Sequence, residues 1–294
     1  MSLKALYDIP APAKLNLFLH VTGRRPDGYH LLQSVFQLID WADVLHVERR
    51  DDGCLQRHDL GPALPDDDLC LRAARALQQA SGTRFGADLS IDKRVPWGAG
   101  MGGGSSDAAS TLLALNRLWG LHWPRARLLQ IALPLGADVP FFVGGRNAWV
   151  EGIGEQLTPV PVPRQWFAVV KPADGIETRE IFSHPKMVRD TKSVILAGLL
   201  ADDPELSGLS QGYGRNDLQP PAQDRCPEVA QAAGLLESVF GNSRMTGSGS
   251  AVFARAGTGS EPVATLEEAP LPKGWVSRMC RGLEVHPLVG WASD

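Results

Sequence analysis

Residues 96–106, Pro-Trp-Gly-Ala-Gly-Met-Gly-Gly-Gly-Ser-Ser, run straight into Asp107-Ala108-Ala109-Ser110-Thr111-Leu112-Leu113, a good helix start. The five glycines of this stretch leave main-chain N–H groups bare, so a ligand can come close to them. The following helix points the positive end of its dipole back at the loop. Bare amides at a helix N-terminus hold phosphate without charged side chains. A second glycine cluster, Thr246-Gly247-Ser248-Gly249-Ser250, lies far downstream. The two clusters together imply a phosphate-handling site assembled from distant parts of the chain.

At 294 residues the chain has room for two domains. With 44% apolar and 21% charged residues it has the composition of a globular protein. A formal net charge of -4 argues against a nucleic-acid partner. It leaves a small anionic ligand open, because a glycine loop binds phosphate locally. The cysteines, Cys54, Cys70, Cys226 and Cys280, are scattered with no C-x-x-C pair, which predicts reduced thiols in a cytoplasmic protein. The N-terminus lacks the apolar core of a signal peptide. No apolar run is long enough to span a bilayer, so no membrane partner is expected. Nothing in the chain speaks to oligomeric state.

Leu15, Leu17, Leu19 and Val21 alternate with Asn16, Phe18 and His20, the period of a strand. Asp27-Gly28 marks a turn, and further strands are expected near 33–39 and 44–49. Asp66-Asp67-Asp68 caps a helix with the face Leu69, Ala73, Ala76 and Leu77, ended by Gly82. Residues 87–95 read as a strand delivering the chain to the glycine loop. The helix after the loop runs to about Trp119-Gly120, and another starts near Pro124. Residues 135–140 read as a loop holding one acid, Asp138. Glycines and then prolines at 151–164 mark a boundary between domains 1–155 and 156–294. Beyond it come a strand at 166–171, a helix at 227–240, a strand–loop–strand at 243–255 and a helix–strand pair over 262–280. Helices and strands mix without strict alternation, which predicts an α+β fold.

Several phosphate motifs compete for the first glycine loop. Walker A requires lysine where Gly104 stands. Gly98, Gly100 and Gly103 match G-x-G-x-x-G, but the acid expected about 20 residues on is missing from Leu121-His122-Trp123-Pro124. The protein-kinase set fails for want of H-R-D and D-F-G. The run Pro96 to Ala109 instead resembles the nucleotide loop of the GHMP kinases, small-molecule kinases. Thr246–Ser250 looks like that family's C-terminal glycine motif. Pro12-Ala13-Lys14-Leu15-Asn16-Leu17, Arg25-Pro26-Asp27-Gly28-Tyr29-His30 and Leu135-Gly136-Ala137-Asp138-Val139-Pro140-Phe141-Phe142 add to the match in order, and Asn216-Asp217-Leu218 extends it.

The resemblance implies a two-domain fold: an N-terminal α/β domain like ribosomal protein S5 domain 2, and a ferredoxin-like C-terminal domain. It implies an ATP- and magnesium-dependent kinase whose acceptor is the 2-hydroxyl of a cytidine-diphosphate sugar alcohol. A kinase of this family for another small alcohol is the alternative, as is a non-catalytic sugar or nucleotide sensor on the same fold. The ATP loop would be Pro96, Trp97, Gly98, Ala99, Gly100, Met101, Gly102, Gly103, Gly104, Ser105 and Ser106, with Gly247, Ser248 and Gly249 opposite. Ser105 or Ser106 is open as a metal ligand; either also reads as a plain helix cap.

Asp138 becomes the candidate base, taking the acceptor proton as the oxygen–phosphorus bond forms. Lys14, read alone, is an edge-strand lysine with its head in water. The resemblance sets it beside Asp138, where it stabilises negative charge. Asn16 shares its strand parity. Tyr29 and His30 would hold the cytidine end, with Phe182 as a second aromatic. One departure stands out: Asp68 replaces the family's asparagine near the adenine, and a carboxylate accepts hydrogen bonds without donating them.

Overall fold

Prolines 10 and 12 fall within the first long apolar segment. Proline has no N–H for a ladder, so such a strand belongs at a sheet edge. The computed structural model, which describes residues 3–196, 212–266 and 271–294, places it there. Among the strands of the described residues β1 (Ala5–Arg24) pairs only with β2 (His30–Arg50), antiparallel, across the Asp27-Gly28 turn, and Leu19 adds a single parallel bridge to Asn216. Register irregularities on both sides of Lys14 bend the strand. The strands expected at 33–39 and 44–49 are one continuous strand.

β2 is the centre of a six-stranded sheet ordered β3-β4-β2-β5-β6, with β1 beside β2. β3 (Leu55–Asp59) and β4 (Gly86–Asp92) are parallel; β5 (Ala148–Glu151) and β6 (Gln156–Pro159) close the other end. Four helices cover it: α1 (Leu69–Ser81), α2 (Gly103–Leu118), α3 (Arg125–Ala132) and α4 (Val139–Gly144). α2 is buried along nearly its whole length. Its small residues permit close approach to β1, where the Ser106 and Ser110 hydroxyls donate to the carbonyls of Pro12 and Pro10 at 2.6 and 2.9 Å.

The second sheet is antiparallel, ordered β10-β7-β9-β8. It comprises β7 (Trp166–Lys171), β8 (Arg244–Met245), β9 (Val252–Arg255) and β10 (Val276–Arg281). α5 (Thr178–Phe182), α6 (Gln219–Arg225) and α7 (Pro227–Phe240) accompany it. Its core takes in Leu19 and Val21 of β1, so the first strand serves both sheets. The last residues return to the first sheet: Leu288 and Ala292 enter its core, and buried Arg125 bonds the Val289 and Ala292 carbonyls at 2.5 and 3.0 Å.

Three local expectations change. α2 starts at Gly103 rather than Asp107, so two loop glycines form its first turn. The loop around Asp138 passes at once into α4, with Asp138 at the N-cap position. Residues 262–266 are not helical, 267–270 lie outside the described residues, and β10 alone is found of the last pair. Among the described residues no helix is long and apolar enough to cross a membrane.

Candidate active site

The outer edge of β1 has no strand partner, and both glycine clusters dock on it. Lys14 N–H donates to the Met101 carbonyl at 3.0 Å, and Asn16 N–H to Thr246 Oγ1 at 2.9 Å. The clusters also bond each other: Ser250 N–H to Gly98 O at 2.9 Å and Ala251 N–H to Ala99 O at 3.2 Å. Gly100 has φ +71, and a Cβ there would lie 2.3 Å from the Thr246 carbonyl oxygen. Only glycine allows that backbone conformation and that approach. Asn216 braces the arrangement, donating from Nδ2 to the Met245 and Gly247 carbonyls at 2.7 and 2.8 Å.

Lys14 points from the same strand into the cleft and is 4% exposed. Its Nζ donates to Asn16 Oδ1 at 2.6 Å, lies 3.4 Å from Asp138 Oδ2, and sits 4.2 Å over the Phe36 ring. It is not an edge lysine with its head in water. Asn16 is fixed in turn by Ser34, whose hydroxyl accepts from Nδ2 at 3.0 Å and donates to the Phe18 carbonyl. Buried charge persists in a protein when it is paired and hydrogen-bonded in this way.

Three cavities run side by side. The first, about 350 Å³, is walled by the 96–104 loop, Lys93, Asp68 and Asp107. The second, also about 350 Å³, holds Lys14, Asn16, Asp138 and Gly247–Gly249. Gly98, Gly100 and Gly102 line both. The third, about 900 Å³, holds Tyr29 and His30 and shares Leu32, Ile153, Thr178 and Phe182 with the second. A chain of ligand groups can therefore run from the glycine wall past the Lys14–Asp138 pair to the aromatic end.

The expected residues distribute as follows. Trp97 stands exposed on the rim of the first cavity. Ser106 is fully buried and committed to Pro12, whereas Ser105 is half-buried beside Gly136. Ser248 Oγ meets Thr178 Oγ1 at 2.7 Å. Phe182 stacks on His30, with ring centres 5.1 Å apart at 23°, and Tyr29 is exposed nearby. Burial, reinforced by Arg189 and Arg24, lowers the His30 pKa and favours the neutral ring. Asp68 is turned to structure: Oδ1 accepts from Leu71 N–H at 3.0 Å, capping α1, and from Arg57 at 3.2 Å. Among the described residues no group of three or more His, Cys, Asp or Glu is arranged to hold a metal.

A buried charge network that the motifs do not reveal backs the first cavity. Lys93 Nζ bonds Asp43 and reaches Asp107 Oδ2 at 2.6 Å, and Asp43 Oδ1 accepts from the Arg94 and Val95 amides. Burial, with Asp43 close by, holds the Asp107 carboxyl well above the usual carboxylate range, although Lys93 pulls the other way. The network ties β2 to the loop and to α2.

Residues 68–146 match the family described as the GHMP kinases N terminal domain. The chain is 67% identical over 293 residues to 4-diphosphocytidyl-2-C-methyl-D-erythritol kinase of Methylibium petroleiphilum, covering 99% of this chain and 100% of the relative. It is 57% identical to the enzyme of that name from Variovorax paradoxus, with coverage of 99% and 100%. A crystal structure of 4-(cytidine 5'-diphospho)-2C-methyl-D-erythritol kinase superimposes with a TM-score of 0.74 at 32% identity, covering 93% of this chain and 98% of the other. A homoserine kinase from Cytophaga hutchinsonii, 16% identical with a TM-score of 0.68 over 96% of both chains, shares the fold. The two-domain α+β architecture of these kinases is thus the architecture found here, and the chain belongs to the 4-diphosphocytidyl-2-C-methyl-D-erythritol kinases within the GHMP kinase family.

Proposed function

We propose that the chain transfers the γ-phosphate of ATP to the 2-hydroxyl of 4-diphosphocytidyl-2-C-methyl-D-erythritol, a step of the non-mevalonate isoprenoid pathway. The observation that carries this reading is the Lys14–Asp138 contact of 3.4 Å in a cavity lined by both glycine clusters. Phosphoryl transfer asks a protein for positioning and charge stabilisation more than for covalent chemistry. The amides of 98–104 and 247–249 hold the phosphates. The acceptor oxygen attacks the γ-phosphorus as the bond to the β-phosphate oxygen breaks, leaving ADP. Asp138 takes the proton as the new bond forms. Lys14, fixed by Asn16, offsets the negative charge on the acceptor oxygen. Tyr29, His30 and Phe182 receive the cytidine, and Trp97 flanks the nucleotide base.

Magnesium belongs to the same proposal. A hard cation of this kind is held mostly by phosphate oxygens and water, with few protein ligands, which suits a cleft without an acidic cluster among the described residues. With Ser106 committed to Pro12, the Ser105 hydroxyl is the loop oxygen that fits, and the ion would neutralise charge on the β- and γ-phosphates. We also propose the division into a nucleotide-binding and catalytic domain, 1–155, and a C-terminal domain, 156–294. The sheets change slightly later, between β6 (Gln156–Pro159), which still pairs with β5, and β7 (Trp166–Lys171). A cytoplasmic location without a nucleic-acid partner completes the reading, and four free thiols accord with it.

The purified chain, given ATP, magnesium and 4-diphosphocytidyl-2-C-methyl-D-erythritol, should form ADP and a new phosphomonoester resolved by phosphorus NMR. Mevalonate and homoserine, run in parallel, should give none. Turnover of either with none of the cytidylyl compound overturns the reading.

A further inference from the structure

Three guanidinium groups line the third cavity: Arg24 at the end of β1, Arg179 in the first turn of α5, and Arg189 just beyond it. Among the described residues none has a carboxylate within 4.0 Å. Their neighbourhood is otherwise well paired: Arg25 meets Asp27 at 2.7 Å and Arg215 meets Asp217 at 2.7 Å. Among the described residues Asp27 is the only acid in the cavity wall, and it is already engaged by Arg25. Like charges gathered at one cavity, in a chain of net charge -4, mark a place shaped for an anion.

The three are not equivalent. Arg189 is consumed by the scaffold, donating to the Met187 and His184 carbonyls at 3.0 and 3.1 Å and approaching His30 Nε2 at 3.4 Å. Arg24 spends only Nε, on the Gly28 carbonyl at 3.1 Å, so its terminal amino groups remain available. Arg179 is exposed and lines the same cavity. One comes from the first sheet and the other from the C-terminal half, and a ligand in the cavity that both line can touch both.

Position decides what the anion is. The third cavity opens into the Lys14–Asp138 cavity at Leu32, Ile153, Thr178 and Phe182. A nucleoside at Tyr29 and His30, joined to an alcohol at Lys14, must carry its linking phosphates past that junction. We propose that Arg24 and Arg179 form a two-sided clamp on the diphosphate of the acceptor, so that the unit recognised is a cytidine diphosphate rather than the cytosine alone. This rests on the function proposed above. A guanidinium fork matches phosphate oxygens in pairs, with charge-assisted bonds stronger than neutral ones.

The test is calorimetric binding of cytidine, CMP, CDP and ADP to the intact chain and to Arg24→Gln, Arg179→Gln and Arg179→Lys. Each glutamine variant should lose about tenfold in CDP affinity, with cytidine and ADP affinities kept; Arg179→Lys should recover part of the loss, since lysine supplies the charge without the fork. Retained cytidine and ADP binding also reports that the variant is folded. CDP affinity unaltered, cytidine and CDP weakened together, or ADP weakened as much as CDP each overturns the clamp. Wild-type turnover of the cytidylyl alcohol beside such a result removes the clamp alone, whereas absence of that turnover removes the proposed function.

Discussion

Lys14 Nζ lies 3.4 Å from Asp138 Oδ2, although the lysine projects from a buried edge strand and the aspartate from the N-cap of a short helix. Asn16 Oδ1 at 2.6 Å and the Phe36 ring at 4.2 Å complete the surroundings of the ammonium. Removing Asp138 takes a compensating charge from the buried ammonium, whereas the Asp138 side chain, 29% exposed, still reaches solvent.

Asp138→Ala is expected to cut turnover by about 10²-fold or more while ATP still binds. Lys14→Met, which keeps length and removes charge, should lose about 10²–10³-fold in kcat. Single-turnover kinetics with calorimetric ATP binding separates chemistry from affinity in both. Near-normal turnover of Asp138→Ala would rule out the base assignment.

Gly100→Ala tests the junction of the two glycine clusters. Its Cβ would meet the Thr246 carbonyl oxygen at 2.3 Å and the Gly249 amide at 3.0 Å, at φ +71. These neighbours are backbone, so no side-chain rotation relieves the clash. ATP affinity should fall by about tenfold or more, with about 1–3 kcal/mol of stability lost. Gly104→Ala, where a Cβ meets only Leu69 Cδ1 at 3.8 Å, should lose far less of both. Equal effects in calorimetry and urea unfolding would mean the junction has no special role.

Much of this arrangement was legible in the sequence, and the exceptions have identifiable causes. Element types were readable where period and punctuation agreed, as for α1 between Asp68 and Gly82 and for the strand–loop–strand around Thr246–Ser250. Gly103 and Gly104 read as loop because glycine disfavours helix interiors, yet a first turn whose N–H groups lack helical partners accommodates them. The nearness of Lys14 to Asp138 could not be read from spacing; it depends on how α4 packs against α2, which itself lies on β1. The Asp43–Lys93–Asp107 network was invisible for the same reason, since it needs the β2–β4 register, in which Val44 faces Asp92. The arginines of the third cavity are ordinary surface residues until folding gathers them.

Asp68 illustrates a departure that the fold absorbs. Its carboxylate caps α1 through Leu71 N–H and pairs with Arg57. Asp68→Asn keeps an N-cap acceptor and should cost under about 1 kcal/mol, with ATP affinity little changed. Asp68→Ala removes the cap and should cost about 1–2 kcal/mol in urea unfolding. A fall in ATP affinity of about tenfold, or 1.4 kcal/mol, on Asp68→Asn alone would instead put this side chain against the nucleotide base.

His286 makes the returning C-terminal segment sensitive to acid. Its Nδ1 accepts from Leu288 N–H at 3.0 Å, Nε2 has no partner among the described residues, and the side chain is buried. Burial, aided by the Arg125 charge, lowers its pKa from 6.5 to about 3. The folded state therefore holds a neutral ring while the unfolded chain binds a proton below pH 6.5. The contribution to stability is complete above that pH and is lost as pH falls toward 3. Between about pH 7.5 and 5.0 the loss is about 2 kcal/mol, because each pH step of one below 6.5 costs about 1.36 kcal/mol. His286→Asn keeps an acceptor for Leu288 N–H and carries no titrating group. It should lower stability at both pH values through lost packing, yet lose about 2 kcal/mol less than the wild type on acidification. Urea midpoints at the two pH values give the comparison, and equal losses in the two proteins would place the acid sensitivity elsewhere.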